Sequence, residues 1–251
     1  MTDLSGLNVV VTGGNGGIGL GMAEGIGKAG ARIVVWARDA SRSEQAISRL
    51  AASGIEAYAV TCDVRDEAAV DTAMITTLDL VGHVDGLVAN AGVAQPVPFL
   101  ETSLAVWRDV LQTNLDGTFL TTRAVARHMV ESGHPGAMII VSSLAARLGA
   151  PSQSAYATSK AGVLALGRTL SVELARYRIR CNMVLPGWVE TEMTAGARES
   201  EKFLDATTTR TPIRRWIQPS EFGDLAAFLA DPRHAAHTGT EVVVDGGYSI
   251  F

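Results

Sequence analysis

The chain has 251 residues, 47% of them hydrophobic, with 21 basic and 26 acidic side chains and a formal net charge of −5. That length and apolar content suffice for a sizeable core, and the lack of any Lys/Arg block or basic stripe argues against nucleic acid as a partner. No secretory pattern opens the chain and no apolar run reaches ~18 residues, so a cytoplasmic protein with no membrane partner is expected.

Taken in chain order, short Val/Ile-rich runs predict strands at Val9–Thr12, Ile33–Trp36, Glu56–Thr61, Gly86–Ala89, Ala137–Val141, Arg180–Leu185 and Glu241–Val244. Helical patterns lie between them at Gly17–Ala29, Ser41–Ser53, Glu67–Leu80, Ser103–Glu131, Ala155–Arg176 and Ser220–Ala230. Strands apolar on both faces belong in a parallel sheet covered by helices on both sides. The expected fold class is therefore α/β: one Rossmann-like, doubly wound domain over 1–251, with ligands at the carboxyl ends of its strands. Residues 191–212 break the rhythm, being polar and weakly periodic, and read as a flap over the substrate. Cys62 and Cys181, the only cysteines, read as buried thiols rather than as a disulfide or metal pair.

The run Thr12-Gly13-Gly14-Asn15-Gly16-Gly17-Ile18-Gly19 joins the first strand to the first helix. A pyrophosphate needs close backbone approach, free N–H groups and the positive end of a helix, and a glycine turn at that place supplies all three. Where the second strand ends, an acidic residue would read a ribose 2′-hydroxyl and an arginine a 2′-phosphate. Ala37 stands at the discriminating position and Arg38 follows, which favours NADP(H) over NAD(H). Asp39 is the competing carboxylate, and the glycine loop itself offers Asn15 and Gly16 but no second basic residue. Asp63, with Val64 beside it, falls at the same sheet edge and suits either the adenine amino group or the cap of the helix near Asp66.

Tyr156 and Lys160 are four apart at the start of a helix and so share a face. A phenol ionises near ~10; making it an acid–base group at neutral pH takes ~4 kcal/mol, the order one ammonium at ~4 Å supplies at an effective dielectric near ~20. Ser143 ends the fifth strand and can meet the same substrate oxygen, whereas strand alternation turns Ser142 away. Asn114, a poor residue for a helix interior, is expected to be buried and to hold a water beside Lys160.

With these residues in place, the chain resembles the short-chain dehydrogenases/reductases of the single-domain type along essentially its whole length. Thr12-Gly13-x-x-x-Gly17-Ile18-Gly19 matches the family's cofactor loop, and Asn90-Ala91-Gly92 matches its turn after the fourth strand. Asn114, Ser143, Tyr156 and Lys160 match its catalytic tetrad. Pro186-Gly187-Trp188-Val189-Glu190-Thr191 matches the stretch that contacts nicotinamide, and Val244-Asp245-Gly246-Gly247 the closing strand. Ala89 departs from the Asn common at that position. The resemblance implies hydride transfer at nicotinamide C4 with Tyr156 as proton donor, and Lys160 lowering the phenol and gripping the nicotinamide ribose. It also implies a homotetramer (or dimer) assembled through the helices at Ser103–Glu131 and Ala155–Arg176.

The substrate is expected to be a ketone or secondary alcohol, with a sugar or sugar acid, or a 3-oxoacyl group on carrier protein, as alternatives. A catalytically inactive nucleotide sensor is the non-enzyme alternative. Pocket walls are expected from Gln95, Leu144, Arg147, Gln153, Trp188 and Met193, with Arg147 able to meet an anion or to sit on the surface.

Overall fold

The computed structural model describes residues 2–251. Seven strands, β1 (Asn8–Thr12), β2 (Arg32–Ala37), β3 (Ala57–Thr61), β4 (Gly86–Ala89), β5 (Gly136–Val141), β6 (Ile179–Pro186) and β7 (Glu241–Val244), form one parallel sheet in the order β3-β2-β1-β4-β5-β6-β7. Each begins and ends within a residue of its predicted bounds. The chain winds outward from β1 to β3 and then crosses back to place β4 against β1. At that reversal the loops leaving β1 and β4 diverge and a crevice opens above the carboxyl ends.

Side-chain alternation divides the core in two. Val9 and Val11 of β1, Ile139 and Val141 of β5, and Val184 of β6 pack under the helices α1 (Gly17–Lys28), α2 (Ala40–Ala52) and α9 (Gly223–Ala230). Val10, Met138, Ile140, Met183 and Leu185 face the other way, under α3 (Glu67–Val81), α5 (Gly117–Ser132) and α6 (Ser154–Glu173). Central strands without a solvated face are therefore required to be apolar throughout, as the sequence is. Cys62 and Cys181 are buried free thiols in the second of these layers, and burial pushes both up to about 12. Trp36, fully buried near the end of β2, gives its indole N–H to Thr77 Oγ1 at 2.9 Å and so pins that strand end to α3.

Helix starts follow the capping residues. The Asp39 carboxylate accepts from the Arg42 N–H at the head of α2, and Asp66 accepts from the Ala68 and Ala69 N–H groups at the head of α3. The stretch expected as one helix over Ser103–Glu131 is instead interrupted. It runs as α4 (Leu104–Leu111), a π turn over Gln112–Asp116, and then α5. The π turn carries Asn114, whose side chain bonds Val93 and Ser159 on other segments. The flap is also more ordered than its composition suggests. It holds a 3-10 turn (Glu192–Thr194), a single turn α7 (Ala195–Arg198) and the ten-residue α8 (Glu201–Arg210).

Candidate active site

The cleft above the carboxyl ends has a volume of about 490 Å³ and runs from Arg38 past the glycine loop to Ser143, Tyr156 and Lys160. Its phosphate end is built from backbone. Gly17 has φ +51°, in the left-handed region, and a Cβ on Gly19 would run into the Asn90 amide and the Gly13 carbonyl. Gly19 thus closes the loop from behind, while Gly13, Asn15, Gly17 and Ile18 line the cleft itself.

Asn90 and Thr12 hold this loop in place. The Thr12 hydroxyl accepts from the N–H groups of Asn90 (3.0 Å) and Ala91 (3.1 Å), and the Asn90 amide donates to the carbonyls of Thr12 (3.2 Å) and Gly13 (3.1 Å). Every bond in this set is between neutral partners at or near the sheet edge, where the low local dielectric strengthens it. With those bonds made, the Asn90 side chain braces the loop, and Asn90, Ala91 and Gly92 all line the cleft.

At the end of β2, Arg38 lines the cleft, is exposed, and joins no ion pair among the described residues. The competing carboxylate of Asp39 is turned into the start of α2, accepting from Arg42 N at 3.0 Å. Asn15 reaches the same corner, donating to Asp39 O at 3.4 Å and Ser43 Oγ at 3.2 Å. A second guanidinium does lie here, contrary to the sequence reading: Arg42 lines the cleft, and its Nε donates to Asn15 O at 3.3 Å. The signal was a basic residue in the first turn after the phosphate-reading strand, four positions beyond Arg38. Asp63 and Val64 also line the cleft. Both Asp63 oxygens are gripped by Arg65 (3.0 and 2.7 Å), which holds the carboxyl below its usual range. The helix-capping role belongs to Asp66 instead.

At the other end, Tyr156 and Lys160 rise from the first turns of α6, and Ser143 follows β5 as the cap of a 3-10 turn, its Oγ accepting from Ala145 N at 3.1 Å. Ser142 spends its hydroxyl on the Lys160 carbonyl (2.7 Å), as alternation predicts. Lys160 is 5% exposed, and its Nζ donates to Val141 O at 2.9 Å. Burial, with no carboxylate to offset it, lowers this amine to about 8.

Burial raises the Tyr156 phenol above its ordinary value, and a hydrogen bond with Ser143 partly opposes the shift. Lys160 does not lower it in the protein alone. The Nζ lies 5.8 Å from the phenol ring centroid and is directed at the Val141 carbonyl. Asn114 is fully buried as expected, and its side chain makes three hydrogen bonds within the protein. Its Oδ1 accepts from Val93 N (2.8 Å), and its Nδ2 donates to Val93 O (3.0 Å) and Ser159 Oγ (3.0 Å). It fixes the loop that carries Ala91 and Gly92 into the cleft.

Pro186, Gly187, Val189, Thr191 and Met193 line the cleft as expected, whereas the other five expected pocket walls, Gln95, Leu144, Arg147, Gln153 and Trp188, do not. Arg147 points to the sheet edge, where it pairs with Glu241 beside Arg168. Trp188 turns into the flap, stacked on Trp216 (centroids 5.2 Å) and edge-on to Phe203 (5.0 Å). Gln95 is tied to Asp109 at 2.6 Å, and Leu144 is buried at 6% exposure. Gln153 precedes α6, with its side-chain oxygen buried and without a partner among the described residues.

This architecture and this set of side chains can be set beside known proteins. Residues 13–249 match the sequence model described as enoyl-(acyl carrier protein) reductase. The chain belongs to the short-chain dehydrogenase/reductase family. It is an oxidoreductase acting on CH–OH groups, like its relatives. It is 38% identical to the 5-keto-D-gluconate 5-reductase of Escherichia coli (strain K12) over 98% of this chain and 97% of that one. Identity to the 3-oxoacyl-[acyl-carrier-protein] reductase of Synechocystis sp. is 35%, over 100% of both chains. The gluconate 5-dehydrogenase of Burkholderia cenocepacia J2315, solved in complex with NADP and tartrate, superposes with a TM-score of 0.94 at 34% identity, over 100% of this chain and 98% of that one.

Proposed function

We propose that this short-chain dehydrogenase/reductase is an NADP(H)-dependent enzyme that reduces a ketone, and oxidises the matching secondary alcohol, on a small hydroxylated substrate of the sugar-acid class. One observation carries the reading: Ser143, Tyr156 and Lys160 share a cleft whose far corner holds Arg38, in no ion pair among the described residues. The 5-keto-D-gluconate reductase and the NADP-bound gluconate 5-dehydrogenase support the cofactor and the substrate class.

The residues fit a phosphorylated dinucleotide. The loop of Gly13, Gly17 and Ile18 would seat the pyrophosphate, Arg38 the 2′-phosphate, Asp63 and Val64 the adenine, and Ala91, Gly92, Pro186, Gly187, Val189 and Thr191 the nicotinamide half. When bound, NADPH supplies the hydride. Ser143 Oγ holds the substrate oxygen, and Tyr156 Oη gives it a proton in reduction and takes it back in oxidation. A phenol raised by burial stays protonated at neutral pH, which suits a donor. Oxidation needs the phenolate and gains as pH rises. Lys160, buried and near 8, supplies a proton-exchanging amine beside the phenol and binds the ribose. Asn114 is a positioning residue acting through Val93. The flap over 191–212 closes on the substrate, with Thr191, Glu192, Met193 and Thr194 its contribution to the cleft.

Self-association as a homotetramer or dimer is part of the same reading, supported by exposed Leu104 and Phe119 on α4 and α5 and exposed Val172 on α6. Two free thiols support a reducing, cytoplasmic setting. No described helix is long and apolar enough to cross a membrane.

The test is NADPH and NADH oxidation against hydroxylated keto acids, simple ketones, diketones and acyl thioesters. Turnover should be fastest with NADPH and a hydroxylated keto acid. A change in cofactor fluorescence without turnover on any of them would instead indicate a nucleotide sensor.

A further inference from the structure

The flap is tied to the nucleotide end of the cleft by one ion pair. Arg42 NH1 meets Glu192 at 2.5 Å, and the two residues are 150 apart in sequence. Arg42 also lies flat on the glycine loop: its Nε bonds Asn15 O at 3.3 Å, and its NH2 occupies the place a Cβ on Gly16 would fill. Glycine at position 16 therefore makes room for this guanidinium; its φ of −178° is open to any residue. Arg38, Arg42, Asn15, Asp39 and Glu192 all line the same corner.

The charges of that corner are unequal. Asp39 is committed to the helix start and Asp63 to Arg65, with Asp63 also feeling the charge of Arg38, so Glu192 is the carboxylate paired with Arg42 from across the cleft. The Arg42 and Glu192 side chains are 38% and 75% exposed, and an ion pair so open to water is easily exchanged. A phosphate dianion makes stronger, bidentate bonds to a guanidinium than a single solvated carboxylate oxygen does. A ribose hydroxyl carries no charge and cannot take its place.

We infer that Arg42 is a second specificity-determining residue for the 2′-phosphate, and that Glu192 is its competitor. On this inference NADP(H) frees the root of the flap by taking Arg42 from Glu192, whereas NAD(H) leaves the tie in place. The inference rests on the NADP(H) reading above and deepens it, adding a link between cofactor choice and flap release.

Calorimetric titration of the purified protein with NADP+ and with NAD+ tests it, together with amide hydrogen exchange over residues 191–199. Both side chains are exposed, and circular dichroism checks that the variants are folded. Arg42→Ala should weaken NADP+ by about tenfold and NAD+ by less than about twofold, with Arg42→Lys intermediate. Glu192→Gln should tighten NADP+ by about threefold, leave NAD+ unchanged, and abolish the faster exchange of the flap root that distinguishes the NADP+ from the NAD+ complex of the natural chain. Equal loss of both cofactors in Arg42→Ala would mean that Arg42 merely props the glycine loop. Unchanged or weaker NADP+ binding in Glu192→Gln would remove the competitor. Either result overturns the inference while leaving the cofactor reading intact. If the natural chain binds NAD+ as tightly as NADP+, the cofactor reading falls and the inference falls with it.

Discussion

The two ends of the cleft are built on different principles. At the glycine loop the walls are backbone, and the bonds that hold them, from Thr12 and Asn90, join neutral groups at 3.0–3.2 Å. At the flap the wall is a pair of short helices held by aromatic faces, Trp188 between Trp216 and Phe203, and by ion pairs such as Arg198–Glu190 at 3.4 Å. The first arrangement has little freedom to move, as a site for an invariant nucleotide requires. The second can open by losing a few contacts, as entry and release of substrate require. On the proposed reading of 191–212 as a flap, one cleft combines a fixed half with a movable one, and Tyr156 stands at their junction.

The sharpest test of that junction is Tyr156→Phe. It removes the proton donor without touching the glycine loop, so turnover should fall by about 10²–10⁴ while the NADPH dissociation constant shifts by less than about twofold. A variant that kept most of its turnover would disprove the assignment.

The movable half should yield next. Trp188→Ala removes the ring on which the flap rests and should cost about 3 kcal/mol of local stability. Limited proteolysis should then cut first within 201–210, with the substrate KM rising far more than the cofactor KM. Uniform destabilisation, with no preferred cut in α8, would mean that the flap is not a separate unit.

At the fixed half, Arg38→Ala should raise the KM for NADPH by about tenfold and barely change that for NADH, since only one of the two carries the phosphate. Parallel changes would place Arg38 outside the discriminating set.

The smallest expected effect concerns Lys160. Its amine is lowered from 10.5 to about 8 on folding, so the unfolded chain binds more protons between those values and stability rises with pH across that window. Below pH 8 the burial cost is present in full, at most ~3 kcal/mol, and the bond to Val141 O offsets about 1–2 kcal/mol of it. Lys160→Met should therefore be inactive yet about 1–2 kcal/mol more stable at pH 7, an advantage that shrinks as pH climbs through the window. Denaturant melts at pH 7 and pH 10 measure it; a variant less stable at both would show that the amine is held by more than its carbonyl.

The elements that were legible in the sequence share one property. Strand bounds, the glycine loop and the grouping of Ser143 with Tyr156 all follow from local patterns in the chain. Where the sequence leaves a choice or misleads, the deciding partner lies far along the chain. Arg147 takes the surface place of its two expected ones, because Glu241 on the edge strand holds it there. Trp188 was placed by its neighbour Gly187, but Phe203 and Trp216 lie further along the chain. Asn114 is legible as buried, while its side-chain partners, Val93 and Ser159, come from other segments.

What the sequence by itself determined is the sheet, the seat for a dinucleotide and the chemical types at its reacting end, because backbone conformation and burial leave periodic traces in the residues concerned. What only the tertiary structure decided is which side chains are free to act: Arg42 brought onto the glycine loop, Lys160 directed at a carbonyl, Trp188 given to the flap. A charge or ring chooses its partner by distance in space, and residues 150 apart in the chain can be that partner.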